Sequence, residues 1–295
     1  RAVDLGDRLE VRNDTDHDAV VLGYDGEPFL RVGPRGAFEN ARSPATYLNR
    51  TRRGGTALPD RADPAARPVW RRIGDEPLAR WHDHRAHWMG PGDPPTVRAD
   101  PDHAHLVQRF RIVLEDEGRR LTARGSVRWI PPPSAAPWLV AAGAIAIAVA
   151  VASRSRLARP VLAGALVAIA AVETLHVVGA WGATTLGAGA RLGASVYAIG
   201  AAVVALVALG VLWRRGLHAA APLLLIAGLF AAIAGGLADV SVLTRSQLPT
   251  TLPNGVARAV VASVLGLGIG VAIAGAMRLR TDPRRAAPQP ERAPS

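Results

Sequence analysis

Apolar positions along this chain fall into two regimes. Up to about residue 135 they come in short runs, alternating with polar residues and broken by Gly, Pro, Asp and Asn; beyond that point they fuse into stretches of helix length. A period of two marks half-buried strands, and long unbroken apolar stretches mark membrane helices. Leu9-Glu10-Val11-Arg12-Asn13 alternates as a strand does. Asp14–Asp18 reads as a turn before Ala19-Val20-Val21-Leu22. Asp25-Gly26 is a strong turn signal, and Phe29–Val32 is a further strand closed by Gly33-Pro34-Arg35-Gly36. Leu106–Leu114 and Leu121–Ile130 read as two longer strands joined by a polar turn over Glu115–Arg120. No long amphipathic helix interrupts this part, and residues 40–75, rich in Arg, Pro, Gly and Asp, read as loop.

The second regime predicts five spans, near residues 137–153, 160–181, 192–213, 219–243 and 257–277. A bilayer core of roughly 30 Å takes about 20 helical residues, so the first is short. Gly266, Gly268, Gly270 and Gly275 suit the last span to tight helix packing. The expected fold is therefore a membrane protein: an N-terminal extracytoplasmic antiparallel β-sandwich (residues 1–130), a proline-rich linker (131–136), a five-helix transmembrane bundle (137–278) and a disordered cytoplasmic tail (279–295). Arginine position gives the orientation. Arg154, Arg156 and Arg159, then Arg214 and Arg215, then Arg278, Arg280, Arg284 and Arg285 mark one side, while Arg191, Arg245 and Arg258 are sparse on the other. The positive-inside rule puts the arginine-rich side in the cytoplasm and the polar domain outside. This arrangement calls for an export signal removed from, or preceding, Arg1.

Composition sharpens this picture without replacing it. Residues 1–135 carry 22 Arg against 20 acids, whereas residues 136–295 carry 13 Arg against four, so the formal +11 belongs mainly to the membrane half. Those arginines punctuate apolar segments rather than gather on a folded face, which argues against nucleic acid and for anionic lipid headgroups. With no cysteine, disulfides, thiolate chemistry, iron–sulfur clusters and Cys-based zinc sites are all excluded.

Candidate chemistry concentrates in Trp81-His82-Asp83-His84-Arg85-Ala86-His87-Trp88-Met89. On a strand His82 and His84 share a face, and a turn after Arg85 brings His87 round. Neutral imidazoles suit copper and zinc, Asp83 can ligate or orient an imidazole, and the Met89 thioether favours copper. His103-Ala104-His105 repeats the spacing and can converge on the same ion, with Trp81 and Trp88 shielding it. The competing reading buries the Trp side chains and leaves the histidines to ordinary hydrogen bonds. Tyr47 and Asn49 form a ligand-contact pair or, on the plainer reading, a buried Tyr and a turn Asn. Glu173, His176 and Asp239 break the apolar pattern of the second and fourth spans. They read as a metal or proton site, or as bundle-fixing pairs with Arg191 or Arg258, with Ser195, Tyr197 and Ser241 at similar depth.

Val21–Leu30, Ser43–Asn49 and the run from Trp81 to Met89 together resemble a family of actinobacterial membrane proteins with an exported head on a membrane bundle. A looser likeness is to the periplasmic CopC and membrane CopD copper-handling modules, carried by the His-bearing β-domain and the membrane histidine. That likeness implies copper, with zinc the alternative, captured by His82, His84 and His87 and passed to a vestibule of Glu173, His176 and Asp239. A membrane-anchored assembly or sensor protein, whose head binds an extracytoplasmic protein or a second copy, is the alternative. A metal-dependent enzyme comes third.

Overall fold

The computed structural model describes residues 1–51, 55–183 and 187–280. The C-terminal segment expected to form a cytoplasmic tail lies, from residue 281 on, outside the described residues. Two compact units are present, Arg1–Pro131 and Pro132–Ser295.

The first unit is β-rich. Its strands are β1 (Ala2–Val3), β2 (Arg8–Arg12), β3 (Ala19–Leu22), β4 (Pro28–Gly33), β5 (Gly36–Asn40), β6 (Trp70–Gly74), β7 (Leu78–Trp81), β8 (His105–Asp116) and β9 (Arg119–Trp129). Two short helices, α1 (Pro44–Leu48) and α2 (Pro95–Ala99), interrupt them. Strands β1-β2-β7 make a three-stranded sheet and β6-β5-β4-β3-β8-β9 a six-stranded one, with every pairing antiparallel. Alternation explains what is buried. Val21, Phe29, Leu30, Val32 and Ile112 from the larger sheet meet Leu9, Ala79 and Trp81 from the smaller one in a single core. Phe29 and Trp81 pack edge to face, 6.4 Å between ring centres, an arrangement the ring quadrupoles favour. Ser43 caps α1 by accepting from the Ala45 amide, so part of the stretch expected to be loop is helical.

On β8, Phe110, Ile112 and Leu114 face the core, which leaves Arg109 and Arg111 on the outer face. Register sets Arg111 directly opposite Arg124, and Arg120 opposite Glu115.

The second unit holds six helical elements among the described residues: α3 (Ala136–Ala152), α4 (Ala158–Gly182), α5 (Ala188–Phe230), a π-helical turn (Ala231–Leu237), a 3-10 turn (Val240–Leu243) and α6 (Asn254–Arg280). Among the described residues three stretches are long and apolar enough to cross a membrane: α4, Arg191–Leu237 and α6.

The expected β-sandwich with a five-helix bundle is thus corrected. In place of a sandwich stands a β-rich unit of two unequal sheets, and in place of five spans are three long apolar helices. Residues 137–153 give a helix of 17 residues, about 26 Å long and short of the bilayer core. Residues 192–213 and most of 219–243 fall within one apolar stretch, Arg191–Leu237, which is kinked at Gly216, where the backbone leaves helical dihedrals (φ 79°, ψ −178°). Past Phe230 the same stretch loosens into the π turn.

Helix α6 packs against α3, α4 and α5. The contact with α5 depends on backbones approaching closely at Gly228 and Gly268. A Cβ on Gly228 would lie 2.3 Å from the Ala272 amide nitrogen, and one on Gly268 2.6 Å from that of Ala232. Lipid offers no hydrophobic drive for helix association, so such backbone proximity supplies the van der Waals contact that holds the unit together. Gly228→Ala should cost about 1–3 kcal/mol by overpacking. The expected outcome is a lower unfolding temperature for the detergent-purified chain, while Gly164→Ala, which meets open space, leaves it unchanged.

Candidate metal centre

Antiparallel pairing of β2 with β7 sets Leu9 opposite Trp81 and Glu10 opposite Arg80. Extending that register outward brings the residues just before β2 alongside those just after β7. There His82 Nδ1 lies 2.9 Å from the Asp7 carbonyl oxygen and 3.5 Å from Asp7 Oδ2, and His87 Nε2 lies 3.0 Å from the same carbonyl. One ligand atom from each of Asp7, His82 and His87 falls within 4.8 Å of the other two. His87 is buried and the other two are half-buried. This cluster is able to coordinate a metal ion: two imidazole nitrogens and a carboxylate oxygen are the donors that borderline divalent ions prefer.

The segment that presents Asp7 is strained. Asp4, Leu5 and Gly6 all have positive φ (54°, 58° and 82°), and two of the three carry a Cβ. Such left-handed backbone costs of order 1–3 kcal/mol per residue and persists only where its surroundings over-determine it. Here the Asp7 amide donates to the Asp4 carbonyl at 3.0 Å, closing the turn, and the two imidazoles fix the Asp7 carbonyl from the other side.

Asp83 holds the histidine segment in shape. It is fully buried; its carboxylate accepts from the Arg85 amide (3.0 Å), Arg85 Nε (2.9 Å), Arg85 Nη2 (2.8 Å) and Trp81 Nε1 (2.9 Å). Those four donors leave it a structural acceptor rather than a ligand. Asp83 also caps a single 3-10 turn, His84–Ala86, and that turn separates the histidines. His82 and His87 end on the Asp7 side, whereas His84 Nε2 is directed to the Thr51 carbonyl at 2.9 Å. Arg85 lies over the Tyr24 ring, 4.9 Å from its centre. Burial pushes the Tyr24 hydroxyl up to about 12, so it stays a neutral donor, bonded to Asn49 Oδ1. Asn49 is therefore part of this support, and Tyr47 is a buried residue donating to the Ala41 carbonyl.

The remaining candidates sit elsewhere. His103 Nδ1 pairs with Asp100 Oδ1 at 2.7 Å, and His105 Nε2 reaches the Asp100 carbonyl at 2.5 Å. The Asp100 carboxylate holds the His103 imidazole above its ordinary range. Met89 and Trp88 are exposed and, with His87, Asp93, Arg128 and Trp129, line a cavity of about 800 Å³. Trp81 points into the core instead, so it does not close over the site.

In the helical unit, His176 Nε2 lies 3.6 Å from Asp239 Oδ2. Both line a cavity of about 120 Å³ with Ser241, Arg245 and Thr250. Glu173 is buried one turn along α4 from His176, and its Oε1 has no hydrogen-bond partner. The three do not bring ligand atoms together as the Asp7 cluster does. Arg191 and Arg258 donate instead to the carbonyls of Ala183 and Arg245. Ser195 is bonded to Trp181 Nε1, and Tyr197 is exposed.

No known protein family, characterised protein or solved structure matches the chain, so the reading of both clusters rests on their own geometry. Removing the Asp83 carboxylate leaves Arg85 and Trp81 Nε1 without their acceptor. Asp83→Ala should destabilise the β-rich unit by about 3 kcal/mol, read as an earlier Trp-fluorescence transition of the full-length chain in denaturant.

Proposed function

We propose that the β-rich unit binds one transition-metal ion, copper in the first place and zinc as the alternative, and delivers it at the membrane. The observation that carries the reading is the convergence of His82 Nδ1, His87 Nε2 and Asp7 on one point. Asp7 then replaces His84 in the ligand set expected from the sequence. The ion would be held by the two imidazoles and the Asp7 carboxylate. Metal binding requires the imidazole nitrogens to present lone pairs, so the contacts they now make to the Asp7 carbonyl give way to the ion.

Copper is favoured by Met89, a soft donor lining the same cavity as His87. Delivery at the membrane is supported by the union, in one chain, of a metal-capable unit with three apolar membrane-length helices. The arginine distribution supports a β-rich unit outside the membrane and a C-terminal end in the cytoplasm. The assembly reading is favoured by a different observation, the exposed outer face of Arg109, Arg111 and Arg124, which suits an acidic partner protein.

Titrating the purified full-length chain with Cu2+ and Zn2+ should give one bound ion per chain. Asp7→Ala, His82→Ala and His87→Ala should each weaken binding by more than about 10-fold, since loss of even a supporting group around a metal costs that much. His84→Ala and the His103→Ala/His105→Ala pair should bind as the parent does. Acidification should release the ion, because the ligands bind in their deprotonated forms. At a free-ion concentration 100 times Kd, stripping with chelator should remove about 2.7 kcal/mol of stability. Unchanged affinity in the His82→Ala/His87→Ala double variant would sink the assignment.

A further inference from the structure

Glu173 has no part in the metal centre, and its surroundings are unusual. It lies in α4, 2% exposed, in a helix whose buried face otherwise consists of Leu162, Leu166, Ile169 and small residues. Oε1 has no hydrogen-bond partner. What faces it is Gly235, where a Cβ would stand 2.0 Å from that oxygen and 2.8 Å from the Val264 side chain on α6. Gly235 sits in the π-helical turn Ala231–Leu237. π-helical geometry is rare, and here it closes the C-terminal end of the helical stretch. The turn lacks a side chain at the single place where the carboxyl needs room.

One turn along α4, His176 is 3.6 Å from Asp239, just beyond the π turn, and both line the 120 Å³ cavity. At roughly 30 Å³ per water such a cavity has room for several, and the polar groups in its mostly apolar lining, among them His176, Asp239, Ser241 and Thr250, would hold them. The charged groups about Glu173 are few. His176 shares its helix, Asp239 and Arg245 follow the π turn, and α6 contributes Arg258, which donates to the Arg245 carbonyl. Arg191 on α5 donates to the Ala183 carbonyl, and α3 carries no charged residue.

We propose that Glu173 is a reversible proton-binding site inside the helical unit, exchanging its proton with the cavity through the His176–Asp239 pair. A buried carboxyl without a hydrogen-bonding or cationic partner is poorly suited to keep a charge, and it takes a proton in the place of a counter-ion. The exchange forms and breaks O–H and N–H bonds only. A proton from cavity water passes to Asp239 or His176, then across a bridging water to a Glu173 carboxyl oxygen, and returns by the same groups. No electron moves and no other reactant is consumed. The ligand of this site is thus a proton rather than a metal ion, since the three side chains do not close to the spacing a single ion needs. The proposal stands independently of the metal centre in the β-rich unit.

Infrared spectroscopy of the full-length chain in lipid nanodiscs, titrated across neutral and alkaline pH, tests it. The C=O stretch of an un-ionised carboxylic acid is resolved from amide and carboxylate bands. The expected result is such a band at neutral pH in the parent protein, its loss on alkalinisation, its absence in Glu173→Gln and its shift in Glu173→Asp. Asp239→Asn should move the pH of half-loss while retaining the band. Absence of the band in the parent at neutral pH overturns the proposal, as does its persistence in Glu173→Gln. The Glu173→Asp shift keeps the test decisive should Glu173→Gln fail to assemble.

Discussion

Pairing of β2 with β7 is the constraint on which the metal-capable cluster depends. Asp7 and His87 are 80 positions apart, and nothing local brings them together. The ladder from Leu9–Trp81 to Arg12–Leu78 delivers the two chain segments side by side, and Leu9, Ala79 and Trp81 tie that ladder into the core. Beyond the ladder each segment is shaped by its own device. One side uses a left-handed turn over Asp4–Gly6, the other a 3-10 turn pinned by Asp83. Strain on one side and a fully bonded carboxylate on the other meet at a single carbonyl oxygen. Placement of this kind needs a rigid scaffold, because metal ligation tolerates errors of only a few tenths of an ångström.

The helical unit solves a different problem with a different resource. With apolar side chains favoured equally by lipid and by protein, helices α5 and α6 adhere through backbone proximity, and the glycines at their crossing permit it. The π turn that follows uses the same device for another end. Gly235 removes a side chain so that Glu173 fits, which couples the position of a polar group to the local winding of a neighbouring helix.

Much of the β-rich unit was legible because strand alternation and turn chemistry are local. Asp25-Gly26 and the polar turn between β8 and β9 both fall where composition placed them, with Gly26, Glu117 and Gly118 at positive φ. The run from Trp81 to Met89 supplies two of the three residues of the metal-capable cluster, His82 and His87, and its arrangement was only half readable. His82 and His87 converge while His84 does not, because the Asp83-capped turn breaks the period of two that would have kept His82 and His84 together. Asp7 gave no signal at all, since its role comes from strand register and register is a property of pairs. Span count differs for another reason. By length and apolar character three stretches qualify among the described residues, the first expected span being a helix of only 17 residues. Hydropathy is also blind to the kink at Gly216 and to the π turn past Phe230.

The long β8–β9 hairpin carries one last implication. Strand β9 ends the six-stranded sheet, and an edge of that length is a template onto which another chain can add. Arg119, Arg120, Arg124 and Arg128 all lie exposed along it, and the direct Arg111–Arg124 opposition concentrates positive charge on its outer face. Copies of one protein confined to a membrane plane meet far more often than they would in free solution. Positive charge along this border opposes edge-to-edge pairing between like copies.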